Sequence, residues 1–117
     1  MKKPISDPPA CSTNLLAMNN TLDILGGKWK LLILHYLIQR QDISNTFKKM
    51  ERDITGISAK MLSKDLEANK LVHREVKDTK PVTVEYSITK YGESTKEIIN
   101  VLVDWGKLHR KEMMQED

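Results

Sequence analysis

The stretch from Gly56 to Ile88 constrains the fold more than any other, because its hydrophobic period changes partway along. Ser58 is a preferred N-cap type, and Lys60 to Ala68 is rich in helix formers. Met61, Leu62 and Leu66 recur at helical spacing and would face a core. Lys60, Ser63, Lys64 and Glu67 then share the opposite side. Asn69-Lys70 reads as a helix stop. Beyond it the period is two. Val72, Arg74 and Val76 alternate with His73, Glu75 and Lys77, and Val82, Val84, Tyr86 and Ile88 alternate with Thr83, Glu85 and Ser87. Between the runs, Asp78-Thr79-Lys80-Pro81 is a turn cluster. A helix with a basic outer face followed at once by a basic-tipped hairpin is the order of a winged helix-turn-helix. Such a helix enters a DNA major groove, and the hairpin tip reaches the adjacent backbone or minor groove.

The rest of the chain supplies a scaffold for that unit. Residues 1–13, with Pro4, Pro8 and Pro9, read as a flexible N-terminal arm. Ser12 or Thr13 is positioned to cap a first helix, with Leu15, Met18, Leu22 and Leu25 as its apolar stripe and Gly26-Gly27 as its end. Lys28 to Ile38 is apolar nearly all round, which places it at the centre of the fold. Ile43 suggests a short strand. Ser44–Glu51, with Phe47 and Met50 facing inward, and Ser58–Asn69 form the helix pair, joined by Arg52 to Ile57. From Thr89, a candidate N-cap, the chain is helical again. Ile98, Leu102, Trp105 or Gly106, His109 and Met113 make one stripe, widened by Ile99, Val103 and Leu108. The predicted class is mainly α with a small β-hairpin (α+β). It is a winged helix-turn-helix domain over 14–117 with N- and C-terminal dimerisation helices, a reader helix at about 58–69 and a wing at about 71–89. Leu15, Met18, Leu22, Ile98, Leu102, Trp105 and His109 are the expected dimer interface. The alternative, that both stripes close the monomer's own core, stays open at this point.

Composition narrows the function classes. The 117 residues are one domain's worth, and a chain this short gains stability by pairing. Nineteen Lys and Arg against sixteen Asp and Glu give a net charge of only +3, so the placement of the cations carries the nucleic-acid argument. One cysteine excludes an intrachain disulfide and a cysteine-based zinc finger. There is no run of eighteen apolar residues and no apolar signal core in Met1–Ala10, so no membrane association is expected and a cytoplasmic location is the default. His35, His73 and His109 fit no metal spacing, and no nucleophile–base pair accompanies them. Neither an enzyme nor a cofactor is expected.

Asn20-Thr21-Leu22-Asp23-Ile24-Leu25-Gly26-Gly27-Lys28-Trp29-Lys30 resembles the corresponding segment of the HxlR-type winged-helix regulators, a bacterial family related to the MarR group. Gly56-Ile57-Ser58 with Met61-Leu62 and Leu66 resembles that family's reader helix. Val84-Glu85-Tyr86-Ser87-Ile88-Thr89 with Gly92 resembles its second wing strand, and Trp105-Gly106 its C-terminal helix. The likeness is collinear over about residues 15 to 110. It implies a dimeric DNA-binding transcriptional regulator, usually a repressor. Its partners would be double-stranded operator DNA, a second copy of the chain, and an inducer that is a small molecule or an oxidant. Several members sense oxidants through a cysteine just before the first helix; counted back from Gly26-Gly27, that position falls near Leu16, and Cys11 stands earlier.

The candidate DNA-binding residues are Ser58, Ala59, Lys60, Ser63 and Lys64 on the reader helix and Lys77 and Lys80 at the wing. Lysine and serine donate to guanine or phosphate, and a helix start offers free N–H groups to phosphate. The bland alternatives are a solvated helix face and lysines that guard a hairpin edge. Lys28, Lys30, Lys48 and Lys49 are further backbone-contact candidates. Cys11 is the redox-sensing candidate, read either as a thiolate switch or as an unreactive thiol in the arm. The alternative function is a winged-helix protein-interaction module without DNA binding, favoured only by the modest net charge.

Overall fold

A computed structural model describes residues 9–115, and side chains from residue 12 onward. The elements run α1 (Pro9–Leu25), α2 (Lys30–Gln39), α3 (Phe47–Asp53), α4 (Ala59–Met61) leading directly into a π-helical stretch (Leu62–Glu67), β1 (Val72–Lys77), β2 (Thr83–Ile88), α5 (Lys90–Glu93) and α6 (Lys96–Met114). Two helices and a following antiparallel hairpin make the winged helix-turn-helix that the sequence predicts, with α3 and α4 as the helix pair.

The all-round apolar α2 is the centre. Ile33, Leu34 and Leu37 are fully buried, and α2 packs on β2 and α6. Met50 of α3, Leu62 and Leu66 of the reader, Leu71, Val72, Tyr86 and Ile99 close around it. Each large apolar side chain so buried contributes about 1.5–3 kcal/mol, and Leu62 and Leu66 anchor the reader helix to this core.

Several boundaries shift from the sequence expectation. The first helix starts at Pro9, not Ser12 or Thr13; residues 1–8 of the expected arm lie outside the described residues. The strand expected at Ile43 is a single bridge between Thr46 and Glu85. Thr46 then caps α3, its hydroxyl accepting from Lys49 N at 3.2 Å, so that helix begins three residues later than Ser44. The C-terminal helix is broken in two. Thr89 does cap, accepting from Gly92 N at 2.8 Å, but α5 ends at Glu93 and α6 restarts after Thr95.

None of the helices among the described residues is long and apolar enough to cross a membrane. The shape is extended, 76 × 40 × 23 Å, with a radius of gyration of 18.9 Å. A compact chain of this length would give about 13 Å. The excess comes from α1, where Leu25 is the one buried side chain among those described, and from α6, where Ile99 is. The stripes Leu15, Met18, Leu22 and Ile98, Leu102, Trp105 are therefore left open instead of closing the monomer's core.

Candidate nucleic-acid interface

The reader helix is launched by a braced turn. Gly56 sits at φ +101° with the indole of Trp29 against it, and Lys28 Nζ lies 4.7 Å from the centroid of the Trp29 ring. Ser58 then caps α4, its hydroxyl accepting from Met61 N at 3.2 Å. Leu62 and Leu66 point into the core, so Lys60 and Lys64 point out; both are exposed, and neither has an ion pair among the described residues. Ala59 is exposed and Ser63 is half-buried beside them.

The reader is not a uniform α-helix. The bonds from Leu71 N to Leu66 O and from Lys70 N to Glu67 O, both 2.9 Å, are the pair that closes a helix at left-handed Lys70, whereas Ala68 N bonds Ser63 O at 3.1 Å, five residues back. This wider π turn is a feature that single-sequence periodicity cannot register, and such turns cluster at functional sites. The helix ends at Lys70, whose φ of +64° turns the chain into β1. Thr89 braces that exit, donating its hydroxyl to Lys70 O at 2.7 Å.

The wing register is Val72 to Ile88, Arg74 to Tyr86, Val76 to Val84 on one face, and His73 to Ser87, Glu75 to Glu85, Lys77 to Thr83 on the other. The first face carries buried Val72 and Tyr86 and packs against the reader's π stretch. The second faces away from it. Val76 and Val82, expected inward, are 53 % and 61 % exposed, because the core stops short of the tip; β2 begins at Thr83, so Val82 belongs to the turn.

The two wing lysines differ. Lys80 stands in the turn, exposed, and no ion pair engages it among the described residues. Lys77 Nζ lies 3.2 Å from Glu75 and 3.9 Å from Glu85, on the face turned away from the reader. Arg74 is the cation that sequence reasoning passed over as one member of an apolar row; it is exposed on the face that looks toward the reader.

The helix pair is held in place from the side. Buried Asn45 donates to Arg40 O and Ile43 O, both at 3.0 Å, and accepts from Arg40 Nε at 3.1 Å. Asn45 O accepts from Tyr86 N at 2.9 Å, which ties the entry of α3 to the wing. Tyr36 donates to Asp53 at 2.7 Å across α2 and α3. That bond holds the Asp53 carboxyl below its usual range, helped by Arg52. Burial, then the Asp53 bond, raises the Tyr36 phenol.

The remaining candidates are dispersed. Lys30 donates to Asp23 O at 3.3 Å, and Lys48 is exposed on α3. His109 stacks on Trp105, with centroids 5.0 Å apart and planes 6° apart, on exposed α6. The Cys11 side chain lies outside the described residues. No group of three or more His, Cys, Asp or Glu among the described residues is placed to hold a metal.

Comparison with known proteins agrees with this geometry. The family model for an HxlR-like helix-turn-helix matches residues 24–114. The HTH-type transcriptional regulator YdeP of Bacillus subtilis is 37 % identical over 93 residues, spanning 80 % of this chain and 73 % of that one. Among solved structures, the redox regulator HypR in its oxidised form superposes with a TM-score of 0.66 at 33 % identity, covering 86 % of this chain and 98 % of HypR. Diamide-treated YodB from B. subtilis superposes at 0.57 with 32 % identity, covering 79 % of this chain and 91 % of YodB. With its braced reader helix, its hairpin wing and a family match that spans both, this chain belongs to the HxlR-like helix-turn-helix family of DNA-binding transcriptional regulators.

Proposed function

We propose that the protein is a cytoplasmic repressor that binds a roughly palindromic operator as a homodimer. The supporting observation is the pair of exposed ammonium groups, Lys60 and Lys64, without an ion pair among the described residues, on the outward face of a helix whose Leu62 and Leu66 are fully buried. Lys60, Ser63 and Lys64 face the major groove, Ser58 and Ala59 meet phosphate at the helix start, and Lys80 meets the backbone at the wing tip. The open stripes on α1 and α6 cover one another between two copies, which sets the two readers about 34–36 Å apart to match one duplex turn. A gel shift on promoter duplexes at low and moderate salt tests the reading. Retarded complexes whose affinity falls steeply with salt are expected; no complex at low salt returns the protein to the interaction-module class.

A second reading concerns the signal. HypR is a redox regulator, and this chain's one cysteine, Cys11, falls at the start of α1. Cys11 would act as a thiolate whose oxidation alters the α1 pairing and so the spacing of the readers. Mapping bound DNA with and without quinone or aldehyde stress, for wild type and Cys11→Ser, decides it. An unchanged response in Cys11→Ser removes the cysteine from the mechanism and leaves a small-molecule inducer as the alternative.

A further inference from the structure

The wing carries three cations, and they divide between its two faces. Glu75 and Glu85 stand directly opposite each other across the strands. Like charges in that position repel. Lys77, on the same face, lies within 4.0 Å of both carboxylates. Glu85 also accepts a hydrogen bond from Ser44, and its backbone bridges to Thr46, both in the segment that enters α3. The Lys77 charge is thus committed to a cluster that joins the wing to the helix pair.

Arg74 is placed differently. It shares a face with buried Val72 on a strand that packs against the reader's second half, and although Tyr86 opposite it is buried, Arg74 itself is exposed. No carboxylate engages it among the described residues. In a duplex, one sugar–phosphate strand separates the major groove from the neighbouring minor groove. With the reader in the major groove and the wing tip over the minor groove, that strand must pass between them. Arg74 borders the gap, and guanidinium is the side chain best matched to a phosphate's paired oxygens.

Resting on the DNA-binding reading above, we propose that Arg74 binds the phosphate strand between the two grooves, while Lys77 is a positioning residue that holds the wing against α3 through Glu85. The inference reassigns Lys77, which the sequence groups with Lys80 as a phosphate contact.

The test is a salt titration of binding to one promoter duplex for wild type, Arg74→Met, Arg74→Lys, Lys77→Met and Glu85→Gln, with thermal melts of each. Arg74→Met should weaken binding about three- to tenfold on every sequence and lower the log–log salt slope by about one. Arg74→Lys should keep the slope. Lys77→Met and Glu85→Gln should weaken binding with the slope unchanged and speed amide exchange along β1 and β2. An unchanged slope in Arg74→Met overturns the Arg74 contact, and a slope lowered in Lys77→Met overturns the brace. Wild-type protein that binds no duplex overturns the DNA reading itself, and the Arg74 contact with it.

Discussion

Gly56 is held at φ +101°, and a methyl group there would stand 2.7 Å from Cζ2 of Trp29. Both the backbone conformation and the packing exclude a larger residue. Gly56→Ala should cost about 2–4 kcal/mol, read as a fall in the urea midpoint, and should weaken DNA binding because the turn it distorts aims the reader. Lys70 is the opposite case. It occupies the left-handed conformation at the helix exit without glycine's freedom. Lys70→Gly should raise stability by up to about 1 kcal/mol in the same assay. The Tyr36–Asp53 bond makes a pH prediction. The folded state lowers the Asp53 pKa, so its contribution is present above the unfolded carboxyl value and is lost as pH falls through the folded one. The stability gap between wild type and Tyr36→Phe should therefore be wider at pH 7 than in acid strong enough to protonate the carboxyl in the folded protein.

The reader helix separates packing from recognition on its two sides. Leu66 is fully buried, so Leu66→Ala should cost about 2–5 kcal/mol in urea melts. Lys64 is exposed and has no ion pair among the described residues, so Lys64→Ala should leave the melt nearly unchanged and lower the salt slope of DNA binding by about one. A variant with the reverse pattern would mean that the helix presents its other face. The existence of this element was legible from Met61, Leu62 and Leu66. Its width was not, because the bond from Ala68 N to Ser63 O, five residues back, leaves no signature in the spacing of the apolar residues. The wing's alternation was legible too, yet Val76 and Val82 lie in solvent; period reports which residues share a face, and the extent of the core decides which of them it covers.

At the scale of the whole molecule, the chain is extended and carries an exposed apolar row along each projecting helix, the surface that the proposed homodimer would cover. Trp105 is 60 % exposed and Leu102 49 %, well short of a monomer's core. Sedimentation should find a dimer, and Leu102→Asp or Leu22→Asp should give folded monomers with intact melting of the α2-centred core. Those monomers should bind single half-sites only, and weakly, since each reader then acts alone. A monomeric wild type would remove the basis for a palindromic site.

The sequence by itself determined the elements that rest on local rules. A period of 3.6 giving way to two set the reader and the hairpin, Ser58 and Thr89 set caps, and an all-apolar Lys28–Ile38 set the centre. Tertiary structure alone decided what rests on neighbours distant in the chain. Lys77 has Glu75 beside it on its own strand, but its second carboxylate, Glu85, comes from β2 and is itself bonded by Ser44, whereas no carboxylate among the described residues engages exposed Arg74. Charge on a side chain is a local property; whether that charge is available to a phosphate depends on the groups the fold places beside it.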